Sequence, residues 1–210
     1  TAHLTRNPAG TGDEPGAPGP GQQQDGAREA RAWLVTARVG RHYAEFMVDP
    51  GDSEGTLLCL DAGQTITRTQ FRRNGTVIGE SEHAGVLTDR PLLPQLATAV
   101  RSGLHAADST VDVAAIGVSG LVDNADASEL LDMLAGTGIR EVLLAHDSTT
   151  SYLGAIGDEL GAVVAAGTGS VTLAVGATRT ARVDGWGYLI GDAGSGFWIG
   201  RAALDRAMQA

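Results

Sequence analysis

Residues Ala165–Val175 read AAGTGSVTLAV: an apolar run, two glycines one residue apart, and a second apolar run. Two folds compete for that pattern. In a dinucleotide-binding βαβ unit the first run is a strand, the turn is spaced G-x-G-x-x-G, and a helix follows. Here Gly167 and Gly169 take the first two places, but Thr172 stands at the third. The residues after it alternate as a strand does, not as a helix. The Rossmann reading therefore fails, and strand, glycine turn, strand remains. The backbone amides of such a turn, with the hydroxyls of Thr168 and Ser170, can cradle a phosphate. A plain β-turn is the competing reading.

The same device stands about a hundred residues upstream. The run TLLCLD ends in Asp61, a tight turn at Gly63 and Gln64 follows, and Thr65 and Thr67 supply hydroxyls. This turn, too, is either an anion nest, with Asp61 able to hold magnesium through water, or an ordinary hairpin rich in threonine. Asn74-Gly75 between TITRTQFRR and TVIGESE marks a second hairpin, because both turn positions need positive φ. Three adjacent antiparallel strands thus open a unit. Leu93, Leu96, Val100 and Leu104 then fall at helical spacing, VDVAAIGVS is a strand, and DASELLDMLAGTG is a helix. That helix has Asp126 as N-cap, Glu129 at the capping-box position, and Gly136 or Gly138 as terminator. EVLLAHD is a strand and STTSYLGAIG a helix, so residues 56–160 read βββαβαβα. From 161 the pattern restarts as GAVVAAG, VTLAVG, TRTARVD and the helix SGFWIGRAALDRAMQA, a βββα unit over 161–210.

Composition narrows the chemistry. All 15 basic residues are arginine, and there is no lysine. A Walker-A loop, a Schiff-base lysine and the strand lysine of protein kinases are excluded. Phosphate chemistry here must use amides, hydroxyls, arginine or metal. The net charge of −10 and the lack of a basic stripe argue against a nucleic-acid partner. Cys59 is the only cysteine, which excludes disulfides and cysteine clusters; it reads as a small buried hydrophobe. No apolar run is long enough to span a membrane and nothing reads as a signal peptide, so a soluble cytoplasmic protein is the default. Residues 1–30, rich in Gly, Pro, Gln and charge, read as disordered. Ala32–Val48 is a strand pair or an extra helix, and 1–55 as a whole is an added N-terminal segment.

Three further stretches carry candidates. In LLAHDSTTSYLG, Asp147 ends a buried strand, at the sheet edge where open α/β folds bind ligands. It can accept a proton from a hydroxyl, or simply cap the helix that starts at Ser148. His146 beside it reads as structural. GVSG, Gly117–Gly120, puts Ser119 at another strand end. DGWGYLIGDAGSGFWIGR, Asp184–Arg201, combines six glycines with two tryptophans and two aspartates, as a backbone approached closely by a ligand would.

In that order, these motifs resemble the sugar-kinase branch of the actin/hexokinase superfamily. More narrowly, they resemble the N-acetylglucosamine kinase-like proteins grouped with the BadF/BadG/BcrA/BcrD ATPases, over Thr56–Ala210, with GTGS, GWG and GDAGSGFWIG as the most specific match. The resemblance implies an actin-like ATPase (ribonuclease H-like) α/β fold, a complete first domain and an incomplete second one. It implies that Gly63, Gln64, Thr65 and Thr67, with Gly167, Thr168, Gly169 and Ser170, meet the phosphates of ATP. It makes Asp147 the catalytic base and part of the sugar site, with Ser119, Gly185, Trp186 and Gly187 beside the sugar and Asp61 on Mg2+ through water. Gln64 stands where the family usually has Gly, and HAGVLTDR lacks the Asn that often grips the sugar. With Cys59 alone, the iron–sulfur activators of the wider family are not matched.

The expected function is ATP-dependent phosphorylation of an amino sugar, N-acetylglucosamine or glucosamine, or a related hexose. The alternatives are an ATPase that drives a partner's conformational change and a non-catalytic sugar-binding module. The partners are the sugar and ATP, without nucleic acid or membrane, and a homodimer is left open. Unit two lacks two strands and at least two helices relative to unit one, and RAALDRAMQA has no stop signal. The 210 residues are thus expected to be a fragment with exposed apolar faces, weak in ATP binding and inactive alone.

Overall fold

The computed structural model describes residues 4–6, 31–35, 56–106, 110–122, 124–157 and 159–209. Strand β1, Leu4–Arg6, pairs antiparallel with β2, Arg31–Val35, so Leu4–Arg6 departs from the disorder expected of 1–30. Its backbone finds in β2 the hydrogen bonds that its local composition does not advertise. The rest of 1–30 and residues 36–55 lie outside the described residues; of Ala32–Val48, the part through Val35 is strand.

The first unit continues with β3 (Thr56–Ala62), β4 (Ile66–Arg73), β5 (Thr76–Ala84), α1 (Leu92–Ala106), β6 (Val111–Val118), α2 (Ala127–Met133), β7 (Glu141–His146) and α3 (Asp147–Ile156). The 7-stranded sheet has the order β1-β2-β7-β6-β3-β4-β5. Its centre is parallel, β2 with β7, β7 with β6 and β6 with β3, and β4 and β5 extend it antiparallel. Helical crossovers force the parallel strands to bury both faces, and their near-continuous apolar runs send successive residues to opposite cores. Leu58, Leu60, Ala114, Ile116, Val142 and Leu144 share one core with Leu96 and Val100 of α1 and Leu130 of α2. Leu57, Ala115, Leu143 and Ala145 form the other with Leu153 of α3, and Cys59 packs against it, its thiol pushed up by burial.

Local signals act as expected. Asn74 and Gly75 have φ of 50° and 74° in the β4–β5 turn. Asp126 caps α2, its carboxylate accepting the Ser128 N–H at 2.8 Å. Gly136 and Gly138, at φ 81° and 92°, follow the helix end. One cap differs. Helix α3 begins at Asp147, and its N-cap is His146, whose ring takes the Ser148 N–H.

The second unit is a 3-stranded antiparallel sheet, β8 (Gly161–Ala166), β9 (Ser170–Val175) and β10 (Thr180–Asp184), in the order β10-β9-β8, followed by α4 (Gly196–Met208). It meets the first unit along α3, where a Cβ on Gly161 would stand 2.9 Å from Ile156 Cδ1. Leu173 is buried, but α4 has no buried residue, and Val164, Val183, Trp186, Ile190, Leu204 and Met208 are open to solvent.

Candidate active site

Strands β3, β6 and β7 are parallel neighbours, so Asp61, Ser119 and Asp147 arrive at one sheet edge. Asp61 pairs in register with Gly117, and Val118 with His146. The Ser119 N–H donates to Ala62 O at 3.0 Å, which ties the end of β6 to the end of β3. Ser119 Oγ donates to Asp147 Oδ2 at 2.7 Å. Two of the residues singled out from sequence motifs 28 positions apart are thus in direct contact.

The carboxylates feel each other. Burial pushes the Asp61 carboxyl up, the charge of Asp147 pushes it further, and Arg68 pulls it partly back. For Asp147 burial is also the largest single influence and acts upward. The bond and charge of His146, with the hydrogen bonds of Ser119 and the Ser148 amide, outweigh it, and the carboxyl is held below the usual range. Asp147 is therefore ionised at neutral pH, as an acceptor of a proton must be.

The first turn is built tightly. Gly63 N donates to Ile66 O at 3.1 Å, and Gly63 O accepts from Val86 N at 2.9 Å. Gly85 lies against the turn so closely that a Cβ there would sit 2.2 Å from Gln64 O and 2.6 Å from Thr65 C. Nothing in the sequence singles out Gly85, because only the fold brings it to Gln64. Gly85→Ala is expected to displace the turn and cost about 1–3 kcal/mol as an overpacked site. An unchanged midpoint in urea unfolding would show that the turn gives way at no cost. Thr65 and Thr67 part company here. Thr65 sits at the open side of the turn, whereas Thr67 is fully buried and its hydroxyl has no partner. Thr67 lies on the same face of β4 as Thr69 and Phe71, which meet α1 at Gly103, so strand alternation turns its side chain into the core.

The second turn comes to the first. Thr168 Oγ1 lies 3.2 Å from Thr65 Oγ1, across 103 residues of sequence. Gly167 N donates to Gly169 O at 2.8 Å, and Gly167 O in turn accepts the N–H of Gly196 at the start of α4. Asp192 braces the turn: its Oδ1 accepts the Ser170 N–H at 3.1 Å, and both its oxygens stand 3.1 Å from where a Cβ on Gly169 would be. Asp184 in turn accepts the N–H groups of Asp192 at 2.7 Å, Gly185 at 2.8 Å and Ala193 at 3.2 Å. These bonds, that of Asp192 first, hold the Asp184 carboxyl below the usual range. Sequence reading did not assign either aspartate; D-x₇-D across a glycine-rich segment is the signal they leave.

The glycines of GWG have a local reason. Gly185 and Gly187 have φ of 77° and 79°, a region costly for residues with a Cβ. Trp186 between them is 71% exposed, so it is available to a ligand but walls no closed cleft. In GVSG, Gly117 is required by packing, since a Cβ would overlap Thr150 Oγ1 of α3 at 2.4 Å. Gly120, at φ 76°, makes the turn against Thr88.

A model of the BadF/BadG/BcrA/BcrD ATPases matches residues 60–210, which contain both turns, Asp147 and the Asp184–Asp192 brace. The chain belongs to that family. Over 96 residues it is 34% identical to the N-acetylmuramic acid/N-acetylglucosamine kinase of Clostridium acetobutylicum, covering 45% of this chain and 31% of that one. A candidate N-acetylglucosamine kinase structure from Chromobacterium violaceum superposes with a TM-score of 0.59 at 30% identity, over 72% of this chain and 56% of that chain. A second, from Porphyromonas gingivalis, gives a TM-score of 0.62 at 23% identity, over 73% of this chain and 56% of its own, and speaks for the fold alone. The family member described here has the actin-like ATPase fold that its motifs implied, and it spans just over half the length of these two solved structures. Its relatives are sugar kinases. No helix among the described residues is long and apolar enough to cross a membrane.

Proposed function

We propose that this protein is an ATP-dependent kinase of an amino sugar, N-acetylglucosamine or glucosamine, or of a related hexose. The meeting of the two glycine turns at Thr65 and Thr168, beside an ionised Asp147, carries the reading. In it, Asp147 Oδ2 takes the proton of the sugar hydroxyl while Ser119 holds that oxygen in place. The hydroxyl oxygen attacks the γ-phosphorus of ATP, the bond to the β-phosphate oxygen breaks, and ADP leaves. Gly63, Gln64 and Thr65 on one side, and Gly167, Thr168, Gly169 and Ser170 on the other, bind the phosphates. Most of the acceleration then comes from positioning and charge stabilisation. Gly185, Trp186 and Gly187 contribute to the sugar side.

The donor set suits magnesium. Asp61 offers hard carboxylate oxygens, and a dication beside it relieves the repulsion that the Asp147 charge imposes on it. Among the described residues no three His, Cys, Asp or Glu side chains cluster, so water and phosphate oxygens complete such a site. Asp61 would hold the ion through water, where it would neutralise phosphate charge.

The test is ATP turnover by the whole natural protein across a panel of amino sugars and hexoses. Turnover that requires one of these sugars is expected, with its 1:1 phosphorylated product. ATP hydrolysis indifferent to every sugar, or sugar binding without turnover, overturns the proposal. A second check concerns the turns. Thr168→Val keeps volume but deletes a hydroxyl, and a bond to a charged group is worth about 1.5–3 kcal/mol. Nucleotide affinity is expected to fall about tenfold or more, with sugar affinity unchanged by calorimetry. Equal losses for both ligands would remove the turn from the phosphate site.

A further inference from the structure

Asp147 has a titratable side chain pressed against it that the reading above leaves without a task. His146 Nδ1 accepts the Ser148 N–H at 3.2 Å as the cap of α3, touches Ser148 Oγ at 2.9 Å, and lies 2.6 Å from Asp147 Oδ1. A ring nitrogen carries either a lone pair or a proton. With the lone pair it caps the helix and repels a carboxylate oxygen. With the proton it donates to that oxygen and releases the cap.

The two oxygens of Asp147 are not equivalent. Oδ1 is enclosed and has no well-aligned donor of its own, although Nδ1 is close. Oδ2 receives Ser119 Oγ. The side chain keeps 25% of its surface, and none of that lies on Oδ1. An acceptor hydroxyl can therefore reach Oδ2 only.

We propose that His146 is the positioning residue for Asp147, its ring, with the proton on Nδ1, donating to Oδ1 from behind so that Oδ2 is presented to Ser119 and to the incoming hydroxyl. This rests on Asp147 being the proton acceptor of the reaction proposed above. The ring's proton then sets the strength of the base. With Nδ1 protonated, the carboxylate is stabilised and weaker as a base. With Nδ1 bare, Oδ1 loses its support and the carboxylate is stronger. The other charged groups that bear on the pair are Asp61 at the end of β3 and, through Asp61, Arg68 on β4. Ser119, from β6, is neutral.

His146→Asn separates this role from helix capping, because Asn is itself a good N-cap. In the whole protein, carboxyl carbon resonances followed against pH, with Asp147→Asn to assign the Asp147 signal, are expected to show Asp147 titrating at higher pH in His146→Asn than in the unmodified protein. In the sugar-dependent assay, His146→Asn is expected to lower kcat about tenfold through misplacement of the base, with KM for ATP unchanged. An Asp147 titration that does not move in His146→Asn overturns the proposal, and so does full kcat in that variant. If Asp147→Asn itself keeps its rate, the base assignment falls and takes the role of His146 with it. An unmoved titration beside an inactive Asp147→Asn sinks the His146 proposal alone.

Discussion

Asp147→Asn is expected to lower phosphoryl transfer by a factor of about 10²–10⁴, the contribution of a placed general base, while the fold stays intact. His146 is the N-cap of α3, and the amide oxygen of an Asn at 147 can still accept the Ser148 N–H that bears on the carboxylate, so the helix start is kept. An Asn at 147 keeps the shape and can still accept from Ser119 Oγ, but it cannot take a proton. The substitution also removes the charge that raises the Asp61 carboxyl, so Asp61 should titrate at lower pH in the variant. Nucleotide affinity should therefore change little, and single-turnover rates separate chemistry from binding. A variant that keeps more than about a tenth of the rate would remove Asp147 from the chemistry.

The pH dependence follows from the same group. The folded-state carboxyl of Asp147 is depressed, so its contribution to stability is present above the unfolded carboxylate pKa, near 3.9, and is lost as pH falls through the folded value. Asp61 has the opposite sign: its raised carboxyl costs stability when ionised, and that cost disappears on acidification. Asp147 thus stays ionised down to below the usual carboxylate range, and the expected acid limb of activity is set by Asp61, above its ordinary value, as it loses the charge that would hold magnesium.

Asp192→Ala is expected to loosen the second turn and, with it, nucleotide binding. Asp192 is 8% exposed and accepts the Ser170 N–H; without it that donor is left unsatisfied, at about 1–3 kcal/mol. Its φ of 60° adds strain for alanine that aspartate and asparagine tolerate better. Asp192→Asn retains an acceptor and suits the same backbone, so most of the stability should return. Urea unfolding of the three proteins, with nucleotide calorimetry, reads both effects. If Asn is as damaging as Ala, charge and not the bond to Ser170 holds the turn. If Ala has no effect on either readout, the brace has no energetic weight.

The apolar runs of TLLCLD and EVLLAH, the Asn74-Gly75 turn and the Asp126 cap were legible because each depends on residues within a few positions of one another. Short apolar runs, helical spacing and positive φ are local properties, and they carry the order βββαβαβα and βββα. The failure of G-x-G-x-x-G at Thr172 was equally local, and it directed the chain away from a dinucleotide fold. Asp147 and Ser119 were legible as strand-end residues, and the family motifs gave them roles. Their contact was not, because it depends on β6 and β7 lying side by side in register.

The remaining features needed the tertiary structure. Gly85 matters only because the end of β5 folds back onto Gln64. Thr67 lies buried because its face of β4 is the one that carries Thr69 and Phe71 onto α1. Asp192 finds Ser170, and Thr65 finds Thr168, across chain separations at which composition and periodicity hold no information. His146 read as structural because a lone histidine has no visible partner in sequence. It took the first turn of α3, begun one residue earlier than the motif suggested, to place its ring against the carboxylate. Local sequence determined the elements and their ends, through backbone conformation and apolar period. Tertiary packing alone decided which side chains share a site, because contact between distant segments is set by how the sheet edges align.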